Sequence, residues 1–491
     1  MKILRIPLVF VLIVLAGRAF HANAQTETNL YSFVSSPDGA LPQAGLIQGT
    51  DGNFYGTTIY GGTNSCGCGT VFRISPSGTE TTLYSFVGSP NDGSQPYAGL
   101  VQGSDGNFYG TTIYGGTSTN CYEGCGTVFR ISPSGTYTSL YSFAGYPTDG
   151  QYPYAGLVQG NDGNFYGTTQ LGGTNNISNG TIFRISSSGS YTSLYSFGGY
   201  PDGSQPYAGL VQGYTGYLYG TTKYGGANGG GTVFLVTPSG YETPLYSFGS
   251  IANDGYYPMA GLAQGSDGYF YGTTYYGGGT NFDGTVFRIS IGGSYSNLYS
   301  FGGPPNDGAE PKASLVQGSD GNFYGTTIFG GSGSNSFQEG IGTVFRISPS
   351  GTETTLYSFV GSPSDGFFPV AGLVQGSDGN LYGTTEAGGA SMNCGGNCGI
   401  VFRFSVLLNP PANQISKIAR IQALFDNFIN ISIPSVAGET YQLQFRTDLT
   451  SGIWSNVPSA SVTNSLGGLL TLSTTTGANE PQAFYRFDIT P

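Results

Sequence analysis

Short stretches of apolar and β-branched residues, each closed by a glycine-bearing turn, recur from Leu30 to Ser405. In the first complete unit they run from Ala44 to Gly49, Asn53 to Ile59, Gly69 to Ser75 and Thr79 to Phe86. Stretches of this length, rich in Val, Ile, Thr, Tyr and Phe, predict β-strands. Asp51-Gly52 and Pro76-Ser77-Gly78 predict tight turns between them, because glycine accepts positive φ and proline presets the first corner.

The unit repeats. Leu-Tyr-Ser-Phe begins at Leu30, Leu83, Leu140, Leu194, Leu245, Leu298 and Leu356, at intervals of 51 to 58 residues. Tyr-Gly-Thr-Thr begins at Tyr55, Tyr109, Tyr166, Tyr219, Tyr271, Tyr324 and Tyr382. Four antiparallel strands per unit in seven units predict a seven-bladed β-propeller over residues 25–408. A β-solenoid would need a shorter period, and tandem sandwiches about a hundred residues each. The first strand, Leu30 to Phe33, belongs to a fourth position, and the seventh unit stops after its third, Ile400 to Ser405. The N-terminal strand is therefore expected to complete the last blade and so remove a free sheet edge.

The ends differ from the repeat. Lys2 and Arg5, the apolar run from Ile6 to Gly17 and Ala22-Asn23-Ala24 predict a signal peptide over residues 1–24, cleaved before Gln25. That run is too short to span a bilayer, which takes about 20 residues. After Asn409-Pro410-Pro411 a linker, 409–415, leads to a segment of alternating strands. Residues 416–491 predict a small Ig/fibronectin-like β-sandwich with Trp454 in its core.

Composition narrows the chemistry. Without the leader's Lys2, Arg5 and Arg18, twelve basic residues face 27 acidic ones, a net charge near −15. Nucleic acid is thus not an expected partner. The one histidine, His21, lies in the leader, so the mature chain has no imidazole for a Ser-His-Asp triad or a metal site. No cofactor is expected. Charged residues make up 9% of the chain and aromatic ones 14%, which fits a packed β protein with little ionic surface.

On a four-stranded blade, the turns after strands one and three share one face of the disc. The second-to-third loops and the crossovers between blades share the other. The loops vary, from Lys223–Gly230 to Ile328–Ile341, and a specific site is expected there. The position after the crossover proline holds Gln43, Tyr97, Tyr154, Tyr207, Met259, Lys312 and Val370, which should ring the channel mouth. Tyr97, Tyr154, Tyr207 and Lys312, with Tyr60, Tyr114, Tyr224 and Tyr276 at the starts of the loops, are the candidate ligand contacts. Tyrosine stacks on a sugar ring and bonds its hydroxyls. The alternative is that these rings only pack between blades.

Other patterns read as scaffold. Asp-Gly occurs in every crossover, at Asp38, Asp92, Asp149, Asp202, Asp254, Asp307 and Asp365, and in six first turns, without the cadence of a calcium loop. The fourth unit alone carries Thr215 for the first-turn Asp and Leu235 for the strand-three Arg, which suggests an Asp–Arg pair elsewhere. Six cysteines form three local pairs, Cys66 with Cys68, Cys121 with Cys125 and Cys394 with Cys398, read as disulfides rather than a zinc site. Glu123, Asp283, Glu310, Glu339 and Glu386 are the non-repeated acids of the loop face, with nothing in the sequence to pair them for glycoside hydrolysis.

The repeated Gly-Leu-Val-Gln-Gly-Ser-Asp-Gly-Asn-Phe-Tyr-Gly-Thr-Thr, followed by Gly-Gly and Gly-Thr-Val-Phe-Arg-Ile, resembles the GloVer tandem-repeat family of exported bacterial proteins over residues 30 to about 405. The resemblance implies a secreted or surface propeller-like protein and brings no catalytic residues. Its C-terminal part would be an anchoring or accessory region, although Asp488-Ile489-Thr490-Pro491 supplies no hydrophobic helix or basic stop. Function is expected to be non-enzymatic binding or adhesion at a polysaccharide or cell-surface glycan. A secreted polysaccharide-active enzyme using loop carboxylates, and a purely structural surface protein, are the alternatives.

Overall fold

The computed structural model describes residues 27–405 apart from 175–177, 333–339, 392 and 395–397, and six strands between 420 and 490. The expected signal peptide, the linker, Trp454 and Glu339 lie outside the described residues. Residues Gln25–Val406 form one compact unit.

Seven four-stranded antiparallel sheets make a seven-bladed β-propeller. The first blade comprises Ile47–Gln48, Phe54–Thr58, Thr70–Ile74 and Glu80–Ser85. In the last blade, Glu27–Ser32 pairs antiparallel with Ile400–Phe404, Glu27 opposite Phe404 and Ser32 opposite Ile400. The N-terminal strand thus closes the ring. Outside the propeller, six strands pair into two three-stranded antiparallel sheets.

Two features differ from the strand pattern read in the sequence. The innermost strand is two residues long, not six. Ala44, Gly45 and Leu46 precede it at the axis, where neighbouring backbones come so close that a Cβ on Gly99 would lie 2.9 Å from the Gly45 carbonyl. Six blades place glycine at this close approach, and the remaining one, the sixth, places the small Ser314 there. Each blade also carries an unexpected two-stranded ribbon on the loop face. In the first, Gly39–Ala40 of the crossover pairs with Tyr60–Gly61 beyond Tyr-Gly-Thr-Thr.

The repeated tetrapeptide has a separate task at each position. The tyrosine is buried, in five blades lies on the next blade's phenylalanine (Tyr55 on Phe108 at 4.0 Å, Tyr382 on Phe54 at 4.0 Å) and in six donates to the first-turn aspartate (Tyr55 to Asp51, 2.8 Å). The glycine receives the rings of its own blade, since a Cβ on Gly56 would meet Phe72 at 2.6 Å. The first threonine donates to the next blade's crossover alanine, from Thr57 to Ala98 and on around to Thr384 and Ala44, in all seven seams at 2.9–3.2 Å. The second bonds inside its blade, Thr58 to the Tyr60 carbonyl and to Thr70.

The crossover aspartates are committed as well. Each accepts from the tyrosine of the preceding Leu-Tyr-Ser-Phe, for example Tyr84 to Asp92 at 2.9 Å and Tyr357 to Asp365 at 2.9 Å. The Asp92 carboxylate also takes the amides of Val87 and Gly93. Beside this bond stands the first residue of the following blade's outer strand. It is a tyrosine in three seams, where Tyr137, Tyr191 and Tyr295 stack on Tyr84, Tyr141 and Tyr246 at 4.0 Å. In the other four it is Glu27, Glu80, Glu242 or Glu353, set against Asp365, Asp38, Asp202 and Asp307.

The expected Asp–Arg pair is instead joined through tyrosine. Asp51 spends its oxygens on Asn53 and the Tyr55 hydroxyl, and Arg73 acts on that same hydroxyl. Burial and the Asp51 charge hold the Tyr55 phenol up at about 12 despite Arg73. In the fourth blade, where Thr215 and Leu235 replace both partners, the tyrosine they would flank is Tyr219.

Candidate functional site

The crossover proline and the ribbon beside it fix the backbone of the loop face. The residue before each proline, Leu41, Gln95, Tyr152, Gln205, Tyr257, Glu310 or Phe368, has φ between 55° and 58°. That is the left-handed region, which side-chain-bearing residues enter at a cost of roughly 1–3 kcal/mol and only where their surroundings hold them. Here two hydrogen bonds do so. The amide donates to a loop carbonyl of the preceding blade at 2.8–3.0 Å, and the carbonyl accepts from the residue after Tyr-Gly-Thr-Thr at 3.0–3.4 Å. For Gln95 the partners are the Cys68 carbonyl and the Ile113 amide.

The cysteines serve this frame. Cys66–Cys68, Cys121–Cys125 and Cys394–Cys398 are disulfides, and the carbonyls of Cys68, Cys125 and Cys398 are those that hold Gln95, Tyr152 and Leu41. Each short loop is thereby tied where it positions the next blade's crossover.

On this frame three side chains per blade change freely: the residues before and after the proline and the residue after Tyr-Gly-Thr-Thr. The second set, Gln43, Tyr97, Tyr154, Tyr207, Met259, Lys312 and Val370, lines one axial channel of about 160 Å³. Tyr97, Tyr154 and Tyr207 form a continuous arc, with ring centroids 5.1 and 4.8 Å apart. Lys312 reaches across from the sixth blade, its Nζ 5.6 Å from the Tyr97 ring. The arc is half-buried: its rings pack on one another and line the channel.

The remaining candidates lie around this centre in separate clefts. Tyr60 lines one of about 500 Å³ with Leu41, Phe367, Phe368 and Glu386, and another of about 290 Å³ with Gln95 and Glu123. Tyr114 packs on Tyr152 at 5.4 Å. Tyr224 and Tyr276 share a cavity of about 240 Å³ with Lys223, Tyr257, Met259, Tyr275, Lys312 and Ile328. Tyr60 and Tyr276 are the most open of the candidates, at 44% and 39% exposure.

Charge is concentrated at the same mouth. Burial lowers the Lys312 ammonium from its ordinary range, Glu386 partly offsets this, and Lys223 adds to it. Burial raises the Glu386 carboxyl, against the pull of Lys312 and a hydrogen bond from Gln43. The Tyr97 phenol is raised by burial and by Glu386. Lys223 sits over two rings, 5.0 Å from each of Tyr207 and Tyr224.

Sequence reasoning found the ring after the proline and missed the one before it. The signal was present: the proline is the same in all seven units, whereas its neighbours vary among Leu, Gln, Tyr, Glu and Phe before it and among Gln, Tyr, Met, Lys and Val after it. The profile of the Gloeobacter/Verrucomicrobia repeat matches residues 16–176, 113–336 and 252–420. The chain belongs to the Gloeobacter/Verrucomicrobia repeat family. No curated protein matches the sequence.

Among solved structures, the repeat domain is similar to the extracellular domain of a proposed one-component system from Bacteroides thetaiotaomicron, at 10% identity and a TM-score of 0.48. The match covers 88% of this chain, which spans 48% of that one's length. A proposed 6-phosphogluconolactonase from Bacteroides uniformis is similar at 14% identity and a TM-score of 0.42, over 82% of this chain and 95% of the other. Dipeptidyl peptidase 4 from Porphyromonas gingivalis is similar at 10% identity and a TM-score of 0.36, over 82% and 65%. None of these carries an activity over to the Gloeobacter/Verrucomicrobia repeat.

Proposed function

We propose that this is an exported, non-enzymatic glycan-binding protein whose ligand lies across the channel mouth on the ribbon face. The observation that carries the reading is the use of the left-handed crossover position. A scaffold alone would be served by glycine there, yet all seven blades keep a side chain, and three of the seven are aromatic. With Tyr97, Tyr154 and Tyr207 at the centre and Tyr60 and Tyr276 further out, the face offers flat rings with hydroxyl tips. These suit the alternating apolar faces and hydroxyls of a sugar chain. Residues 416–491, as an Ig/fibronectin-like sandwich, would be an accessory or attachment part.

A second reading, a polysaccharide-active enzyme, draws on Glu386. A raised carboxyl beside a lowered lysine in a cleft is the kind of group that acts as a general acid. A glycan array probed with residues 25–491, followed by reducing-sugar release from every glycan retained, separates the two. Retention without release supports binding, release dependent on Glu386 supports catalysis, and neither leaves a structural surface protein.

A further inference from the structure

Residues 25–408 contain two lysines, Lys223 and Lys312, and both line the cavity of about 240 Å³ on the loop face. The six arginines of the same region occupy strand three of their blades, so these lysines are not part of the repeat's own scaffold. They come from different elements. Lys223 follows Tyr-Gly-Thr-Thr in blade four, and Lys312 follows the crossover proline into blade six, with Met259 of blade five on the same cavity.

Placing two ammonium groups in one partly buried cavity is costly, because each loses water and each repels the other. Two carboxylates stand near these lysines, and neither lines the cavity. Glu386 faces Lys312 but lines another cleft, with Tyr60 and Phe368, and takes the Gln43 hydrogen bond. Glu310 is bonded by the Tyr275 hydroxyl and does not line the cavity. Lys223 has the faces of Tyr207 and Tyr224, which stabilise a cation without neutralising it. The rest of the lining, Tyr224, Tyr257, Tyr275 and Tyr276, is aromatic, with Tyr257 5.0 Å from Tyr224 and 6.1 Å from Tyr276.

We propose that this cavity is a subsite for an acidic sugar, with a uronate carboxylate held between Lys223 and Lys312 and the sugar ring against Tyr224 and Tyr276. The proposal rests on the glycan reading above and adds the class of glycan. It reconciles an anionic ligand with a strongly acidic protein. The crossover aspartates are bonded to tyrosine hydroxyls within the seams and the first-turn aspartates to their own turns, and the charged side chains that line this cavity are its two lysines.

The test is titration calorimetry of residues 25–491 with an oligogalacturonate, its fully methyl-esterified counterpart and a neutral cello-oligosaccharide, beside Lys223→Met and Lys312→Met. The acid form should bind, and esterification or either substitution should weaken it about tenfold or more, as expected for loss of one charge-assisted hydrogen bond. Rising salt should weaken it as well. Equal binding of acid and ester, or unchanged affinity in Lys223→Met, overturns the subsite and leaves the glycan reading standing. Absence of binding to these three sugars, together with a blank glycan array, overturns both. If Lys312→Met melts early, Lys223→Met decides alone.

Discussion

The Thr384 hydroxyl donates to the Ala44 carbonyl at 3.0 Å across 340 residues of sequence, joining the last blade to the first. The same bond occurs in the six internal seams, and what is particular to the closure lies inside the last blade, where Glu27–Ser32 from the start of the chain supplies the fourth strand beside Ile400–Phe404. Thr384→Val should therefore cost about 1–2 kcal/mol in urea denaturation, the usual effect of leaving one buried carbonyl without its donor. Deleting residues 25–35 should instead abolish cooperative unfolding, because it strips the fourth strand from the last blade. A deleted protein with an unchanged melting profile would refute this closure.

Four seams place a glutamate against an aspartate, and acid should stabilise them. Burial first, and then the facing aspartate, raise Glu27 and Glu242 to about 8; burial also raises Glu80 and Glu353 to about 7. An acid raised in the folded state contributes fully below its unfolded value, near 4.5, and that contribution is lost as pH rises through the folded value. At the other limit, Asp51, Asp105, Asp162 and Asp378 are lowered: burial opposes the shift and hydrogen bonds from Asn and Tyr outweigh it. Their contribution is lost as pH falls below about 3.8. Melting temperature should then peak near pH 4–5 and fall toward pH 8. Replacing the four glutamates with glutamine should flatten the alkaline side; a melting temperature that climbs from pH 5 to pH 8 contradicts the assignment.

The fourth blade invites repair. Thr215→Asp should give the Tyr219 hydroxyl the acceptor that six other blades provide, and with Leu235→Arg it should gain about 1 kcal/mol. Comparing each single variant with the double by chemical denaturation measures whether the two act through the tyrosine. Additive effects would mean they do not.

At Gln95, φ is 56°. Gln95→Val should cost about 1–3 kcal/mol, since a branched Cβ is strained in that conformation, while Gln95→Gly should stay within about 0.5 kcal/mol of the parent. Equal losses in the two variants, read from urea midpoints, would place the cost in the lost side chain and not in the backbone.

The blades were legible because their residues report locally. Phe54 to Thr58 and Thr70 to Ile74 are strand-forming runs between glycine turns, and the isolated strand at Leu30 revealed the closure. What eluded the sequence depends on contacts between units. Gly39–Ala40 has no strand character of its own and becomes one only when Tyr60–Gly61 pairs with it. Ala44 to Leu46 look like strand and lose their ladder to the crowding at the axis. The Asp–Arg correlation was visible at Thr215 and Leu235, but its intermediary, a tyrosine present in every copy, could not stand out by variation. At the site, Tyr97, Tyr154, Tyr207 and Lys312 were placed around one channel, whereas the position before the proline was overlooked because such backbone is not expected of Leu41 or Phe368.

The threonine-to-alanine bond has a consequence for how such a face is made. Each unit supplies the donor for the blade after it and the acceptor for the blade before it, so the joints do not encode the order of units. Which variable side chains become neighbours, Tyr97 beside Tyr154 beside Tyr207, is set by the order of copies in the gene. Unequal recombination between near-identical repeats could rearrange the recognition surface and leave every joint intact.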